Sequence, residues 1–495
     1  MSLLQILFLG LALSLLYFIG HTVYNLFFHP LAKYPGPKLA AISELCHYSP
    51  PPHCAAVVDK APRKGEVVRT APNELSISTP TAAKDIHGHQ PKGRQTFVKS
   101  DFYHQKQGEA LSISMETDPQ KHSEIRRRLA YAFSTKALRL QEDIVIKYID
   151  MLVGQAEKLA SNPNGINVTD WYNWLTFDII GDLTFGKPFG AVAEAKTSFW
   201  ISIIFDASFA GALTHLFRRF PLLKLIIPWL LPNKDKLLRD RVEHRKISRE
   251  MALGRLQKVE ARDDFFGHLI SGKDVDEEQT LKFLESNAST LVTAGSETTA
   301  TALSGMTYYL LHHPACLSRL QHEIRSAYSS SDAITSDSTQ HNTYLKAVIE
   351  EILRIFPPAP VGMPRVSPGA EVDGHYVPAG TIVHSNTWVL MHSPKYWHRP
   401  EEFRPERWLT PEDREYDVAF ANDNHLAFKP FGQGPRGCIG INLSYMEMRI
   451  ILAKLVWHFD WELISTDVEW RRDCSMHFLW KKPDLMVRMI PRVRA

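Results

Sequence analysis

The sequence predicts a mainly α-helical protein with small β-sheets, preceded by one N-terminal membrane helix. Three observations carry this. Apolar residues recur at helical spacing over several long stretches, strand-like pieces are few and short, and the first residues form an almost unbroken apolar run. Over 495 residues, 44% are hydrophobic and 22% charged, enough for a large core and too apolar for a disordered chain. A formal charge of +3 excludes a generally basic nucleic-acid binder, so no nucleic-acid partner is expected. Five scattered cysteines (Cys46, Cys54, Cys316, Cys438, Cys474) contain no CxxC pair, which argues against a disulfide framework or a zinc ribbon and for a reducing compartment.

From Leu3 to Ile19 only Gln5, Ser14 and Tyr17 interrupt the apolar run. About 17 to 25 such residues cross a bilayer as a helix. No Lys or Arg precedes the run and no small-x-small cleavage site follows it. Tyr17, Phe18, Tyr24, Phe27 and Phe28 instead supply interfacial rings. Residues 1–27 therefore read as a retained single-pass anchor. Residues 28–66 are a proline-rich connector and an atypical N-terminal segment. In it, His29-Pro30 and Pro35-Gly36-Pro37 stiffen the chain. Lys33 and Lys38 follow the helix, which places the body, 67–495, on the cytosolic side. The sequons at Asn167 and Asn287 are then coincidental.

In the body, helices are expected at about His122–Leu140, Gln141–Leu159, Glu277–Leu311, Tyr344–Phe356 and Leu443–Trp457. Strands are expected near Val67–Arg69, Glu74–Ser78, Glu371–Val377 and Thr381–Ser385. No internal repeat or linker-like composition shift divides it. Asp274 stands near capping-box spacing before Glu277. The middle of that longest helix, Ala294-Gly295-Ser296-Glu297-Thr298-Thr299, is poor helix sequence, because Gly and β-branched Thr both weaken helices. A notch that admits a neighbouring element explains it most simply; a local functional purpose is the other reading.

The richest stretch is Phe431-Gly432-Gln433-Gly434-Pro435-Arg436-Gly437-Cys438-Ile439-Gly440. Glycines and a proline set an unusual backbone path, and a helix starts directly after it. Near a helix N-terminus, and close to Arg436, the Cys438 thiol is expected to have a lowered pKa. Such a sulfur suits a soft or borderline metal. It also suits nucleophilic attack, with His425 or His477 as base, or an inert buried cysteine in a tight turn.

The loop resembles the haem-binding loop of the cytochrome P450 superfamily, F-x-x-G-x-R-x-C-x-G, at every fixed position. Ala294–Thr299 resembles that family's oxygen-activation motif, Glu351-Ile352-Leu353-Arg354 its E-x-x-R, and Pro405-Glu406-Arg407-Trp408 its P-E-R-[F/W]. Order and separations agree. The likeness runs from the anchor to the C-terminus and is strongest from Glu277 onward, and Tyr445-Met446-Glu447-Met448-Arg449 is similar to fungal microsomal members of secondary metabolism. Residues 46–66 depart from it, through an altered entrance or a gene-model error.

The resemblance implies a cytochrome P450 fold with haem b, whose iron takes Cys438 as its axial thiolate. It implies backbone N–H groups of Ile439 and Gly440 on the sulfur, with Gly440 admitting a flat group and Phe431 keeping water off. Arg436, Arg365 and the pair His122 and Arg126 would hold the propionates, although family members often carry Trp where His122 stands. Glu351, Arg354 and Arg407 would hold the cysteine loop in place. Gly295 would leave room for dioxygen. Glu297 and Thr298, its hydroxyl turned inward, would relay the protons that oxygen reduction consumes.

The implied activity is that of a monooxygenase placing one oxygen atom of O2 into a lipophilic small molecule. No G-x-G-x-x-G nucleotide fingerprint precedes a helix, so NADPH electrons arrive through a membrane-bound NADPH-cytochrome reductase. It would dock near Arg127, Lys346, Lys429 or Arg449. Substrate contacts are expected from Phe97–Met115, Trp200–Phe220, Ala359–Met363, Cys474–Phe478 and beside Thr298. Leu222–Leu231 is either a membrane-dipping entrance or a core helix. The expected location is the endoplasmic reticulum membrane. Two rival functions remain, a haem-thiolate enzyme of desaturation or rearrangement and a non-catalytic membrane-anchored haem protein.

Overall fold

The computed structural model describes residues 2–44, 66–91, 93, 95–103, 112–197, 202, 216–217, 220, 222–223, 234–256, 265, 277–476 and 479–492. Asp274, most of Trp200–Phe220 and Leu222–Leu231, and His477 and Phe478 lie outside the described residues. The chain forms two compact units, each assembled from discontinuous segments: Met1–Phe102 with Val361–Ser393 and His425–Arg436, and Tyr103–Pro360 with Pro394–Asn424 and Gly437–Ala495. Interleaved boundaries of this kind leave no linker to read in a sequence.

The first unit begins with the apolar helix Leu3–Val23, capped by Ser2 and Gln5, and a π turn Tyr24–Phe28. Within Leu4–Phe28 an 18-residue window has a mean hydropathy of 2.0 and no buried residue, so the segment is a membrane-span candidate. A five-stranded sheet follows. Val67–Ala71 pairs antiparallel with Glu74–Ile77, which pairs parallel with Ile382–His384. Arg365–Val366 and Val98–Lys99 complete it in antiparallel register. Leu31, Leu75, Ile86, Phe97 and Val383 form its core. The expected strand Glu371–Val377 is a hairpin instead, Ala370–Val372 against His375–Val377. Asp373 and Gly374, with φ of 47° and 74°, make its turn.

In the second unit the long helix Glu277–His312 ends one residue beyond its expected terminus. It packs on Val168–Phe185, a helix buried along its length. Burial on all sides removes the amphipathic period that would have marked that helix in the sequence. The weak helix formers are accommodated by back-bonding: Ser296, Ser304 and Thr307 donate to the carbonyls four residues earlier at 2.6, 2.8 and 3.0 Å. The expected helix His122–Leu140 is broken into Pro119–Ala130 and Thr135–Leu140, because Ser134 caps the second piece through Ala137 N–H. Thr343–Ile355 and Ile441–His458 stand close to their expected limits. Both sequon asparagines are structural: Asn287 is fully buried and accepts from Ile113 N–H, and Asn167 caps Val168–Phe185.

Tyr172, 1% exposed, shares a 2.8 Å hydrogen bond with Thr307 between these two core helices. Thr307→Val strands that buried phenol and is expected to lower stability by about 1–3 kcal/mol. In urea this appears as a lower midpoint with unchanged slope, and adding Tyr172→Phe restores most of the loss.

Candidate active site

Cys438 precedes the helix Ile441–His458, whose N-cap, Gly440, has no side chain to offer the helix N–H groups. The Gly440 N–H instead bonds the sulfur. Arg126, on the helix Pro119–Ala130, donates from Nη1 to the Gly437 carbonyl at 2.7 Å and brings its charge to the same thiol. His122, 5% exposed, lies one turn earlier on that helix. The expected depression of the thiol pKa is not found. Burial pushes the Cys438 thiol up, and the Gly440 N–H and Arg126 only partly oppose it. The residue is nonetheless exposed while protein crowds around it, as befits a thiol lining a recess and not the outer surface.

Among the described residues no cluster of three or more His, Cys, Asp or Glu is placed to hold a metal. A lone sulfur cannot build a protein-only metal site, but it can supply one axial ligand to a metal that brings its other ligands in a macrocycle. The space beside it is compatible. A Cβ added at Gly440 would meet nothing nearer than Cys438 Sγ and Phe133 Cε1, each at 3.9 Å. The residues fit an iron porphyrin.

Phe431, Arg436 and Arg365 belong to the first unit. There Gly432 and Gly434 take φ of 64° and 71°. Any side chain at Gly434 would run into the His87 carbonyl, so the loop seats on the helix Pro80–His87 only with glycine. Phe431 and Arg436 are half-buried. Arg365 is 5% exposed and donates to the Pro364 carbonyl at 3.0 Å. Nearby His87 is held neutral, its pKa lowered to about 3 by burial and by the charges of Arg365 and His384.

Glu351 and Arg354 are completely buried. Arg354 grips Glu351 bidentately, Nε to Oε2 and Nη2 to Oε1, both at 2.8 Å, and spends its other donors on the carbonyls of Pro400 and Glu402. Arg407 Nε bonds Glu351 at 3.2 Å, while Arg404 N–H and Trp408 Nε1–H each donate to it at 2.9 Å. Asp423 pairs with Arg407 from the far side. Burial alone would raise the Glu351 pKa, but Arg354 and Arg407 outweigh it and hold the carboxyl below its usual range. Trp408 and Asp423 were not foreseen in these roles. The tryptophan stood in a noted motif without its indole partner being evident, and nothing in the sequence ties position 423 to 407.

Two expectations on the long helix are corrected, and its glutamate has a partner of its own. Thr298 does not turn its hydroxyl inward: Oγ1 donates to the Ala294 carbonyl at 2.6 Å. Gly295 does not open free space, since a Cβ there would lie 2.9 Å from Ile180 Cδ1, so the notch for a neighbouring helix is what the structure shows. Glu297 is 1% exposed. It is ion-paired with buried Lys482, whose Nζ also reaches Thr301 at 3.1 Å and Asn173 at 3.4 Å. Burial raises the Glu297 pKa and Lys482 opposes it, leaving Oε2 buried without a hydrogen-bond partner. Lys482 gave no signal in the sequence, where a lysine near the C-terminus reads as surface. Of the four basic residues considered for docking, Arg127 and Lys346 are exposed and Lys429 and Arg449 half-buried.

Comparison with known proteins bears on this arrangement. The family model described as Cytochrome P450 matches residues 69–489. Cytochrome P450 monooxygenase BOA3 of Botryotinia fuckeliana is 43% identical over 94% of this chain and 92% of its own length. Cytochrome P450 monooxygenase poxC of Penicillium oxalicum is 40% identical over 97% and 93%. Trichothecene C-15 hydroxylase of Fusarium sporotrichioides is 37% identical over 97% of each.

Arg354→Ala leaves Glu351 buried with its main partner gone and is expected to destabilise by about 3–5 kcal/mol. The pH dependence has a definite sign. Because the Glu351 pKa is depressed in the folded state, its contribution is complete above the unfolded value of about 4.3. It is lost as pH falls through the lower folded value. Denaturant titrations from neutral to acid pH check this: Glu351→Gln lacks the contribution at neutral pH and loses this component of the acid slope.

Proposed function

The chain belongs to the cytochrome P450 family, and from that premise we propose that it is a membrane-anchored monooxygenase acting on a lipophilic secondary-metabolite intermediate. The reaction is RH + O2 + NADPH + H+ giving ROH + H2O + NADP+, with electrons delivered by a separate membrane-bound NADPH-cytochrome reductase. The observation that carries the reading is the recessed Cys438 sulfur, bonded by the Gly440 N–H and approached by Arg126. When bound there, haem supplies the binding and reductive activation of dioxygen.

The chain's own residues divide the remaining work. Cys438 gives one anionic ligand, and the Gly440 N–H tunes that sulfur's basicity. Arg126, His122, Arg365 and Arg436 are the partners we assign to the propionates. Glu351, Arg354, Arg407 and Trp408 form a rigid buried frame whose role is to hold the cysteine loop. Thr298 must release the Ala294 carbonyl to present its hydroxyl, and Glu297 must part from Lys482 to carry a proton.

The substrate class rests on the relatives, one of which is named for hydroxylation of a trichothecene. The apolar Leu4–Phe28 supports a bilayer anchor, and Lys33 and Lys38 beyond it support a cytosolic body on the endoplasmic reticulum. Arg127 and Lys346 are exposed cations suited to an acidic reductase surface.

The test incubates reductase-supplemented membranes holding the full chain with lipophilic extracts of the producing organism. Products heavier by one oxygen atom are expected. Loss of two hydrogens would favour the desaturation reading, and no NADPH-dependent product would sink both. With a substrate in hand, Thr298→Ala is expected to lower product per NADPH and release peroxide, whereas unchanged coupling would contradict the proton role.

A further inference from the structure

Where the apolar helix ends, the backbone widens into the π turn Tyr24–Phe28, closed by His29 N–H on the Tyr24 carbonyl at 2.8 Å. Asn25 on this turn is 2% exposed, its amide 2.9 Å from His21 Nε2. Its carbonyl accepts from Arg69 Nη1 at 2.7 Å. Arg69 Nε and Nη2 both donate to the Pro72 carbonyl, at 3.2 and 2.6 Å. Three of the five guanidinium N–H groups are thus engaged, all on neutral carbonyls. The side chain is 3% exposed, and among the described residues no carboxylate is paired with it. Burial is the one influence on its pKa, which it lowers. A buried charge without a counter-charge is costly, and proteins rarely keep one without a use.

Arg69 lines a pocket of about 200 Å³ together with Leu26, Phe27, Tyr34, Lys38 and Ala41. One wall is cationic and another apolar. Residues 1–43 contain Lys33 and Lys38 but not one Asp or Glu. Phe27 and Phe28, each 72% exposed, mark the end of the candidate span, so the pocket lies at the depth where lipid headgroups meet acyl chains.

We propose that this pocket binds the phosphate of an anionic phospholipid from the bilayer that the apolar helix enters. The two N–H groups of Arg69 not used on carbonyls and the ammonium of Lys38 take the phosphate oxygens. Leu26 and Phe27 lie against the first methylenes. A choline ammonium has no carboxylate to meet among the lining residues. The Tyr34 ring already carries Lys33 Nζ 5.2 Å from its centroid. The pocket therefore selects anionic over zwitterionic headgroups, and the bound lipid fixes the junction of anchor and body. This shares only the anchor helix with the functional reading and needs neither haem nor turnover.

The test uses the full chain in neutral detergent, stripped of lipid, and titrates it calorimetrically with dihexanoyl phosphatidic acid, dihexanoyl phosphatidylcholine and inorganic phosphate. Phosphatidic acid is expected to bind at least about tenfold more tightly than the other two. Arg69→Gln, and separately Lys38→Glu at an exposed position that leaves the fold intact, should each weaken it about tenfold. Equal binding of the two lipids, or affinity unmoved in Lys38→Glu, would overturn the proposal. Inorganic phosphate binding as tightly as phosphatidic acid would likewise overturn the lipid source. Because no enzymatic readout enters, a chain that binds lipid yet forms no product separates failure of the function from failure of this site.

Discussion

One sulfur atom must be kept at the start of a helix, lining a recess, without a second protein ligand beside it. That requirement shapes the start of the helix Ile441–His458 and what packs on it. A helix N-terminus leaves N–H groups unsatisfied, and with glycine at the N-cap no side chain competes for them, so the Gly440 N–H falls to the Cys438 sulfur. Arg126 pins the loop from the other side through the Gly437 carbonyl. Burial still disfavours the free thiolate. A sulfur in this position has most to gain from a cation that it can ligate.

Buried charge recurs elsewhere in the unit, and the partners decide what each group is for. Glu351 accepts from Arg354, Arg404, Arg407 and Trp408, and a carboxylate surrounded by that many donors is a fixed strut. Glu297 is different. It has Lys482 and Thr301 on one oxygen and nothing on the other, so it is only half satisfied. Glu447 is a third case, fully buried and bonded to Thr299, its pKa pushed up to about 8 by burial, so that it is protonated near neutral pH. Three glutamates in one core thus stand in three states, one held ionised by two arginines, one paired with a lysine through a single oxygen, and one held neutral by burial.

How much of this could be read beforehand depended on range. The long helix was legible almost to the residue because its pattern is local and repeats over many turns, and the cysteine loop because its glycines and cysteine are contiguous. Val168–Phe185 was not, since burial on every side erases amphipathic contrast. Gly295 shows why a motif needs its surroundings: the glycine was visible, but only Ile180 shows what it makes room for. Lys482 and Asp423 act on partners far away in the chain, through geometry that no spacing rule encodes. The direction of the Thr298 hydroxyl was misjudged because a helical threonine can always satisfy itself on its own backbone.

The central claim is that Cys438 ligates haem iron through its thiolate, and one spectrum addresses it. The purified chain is reduced, exposed to carbon monoxide and compared with the reduced chain alone. A strongly red-shifted Soret band, lost in Cys438→Ala, is the predicted result, because a thiolate ligand from Cys438 would perturb the porphyrin as no neutral protein ligand does. Well-folded protein that takes up haem but gives only the unshifted band of a neutral axial ligand, or gives the shifted band unchanged in Cys438→Ala, would contradict the account.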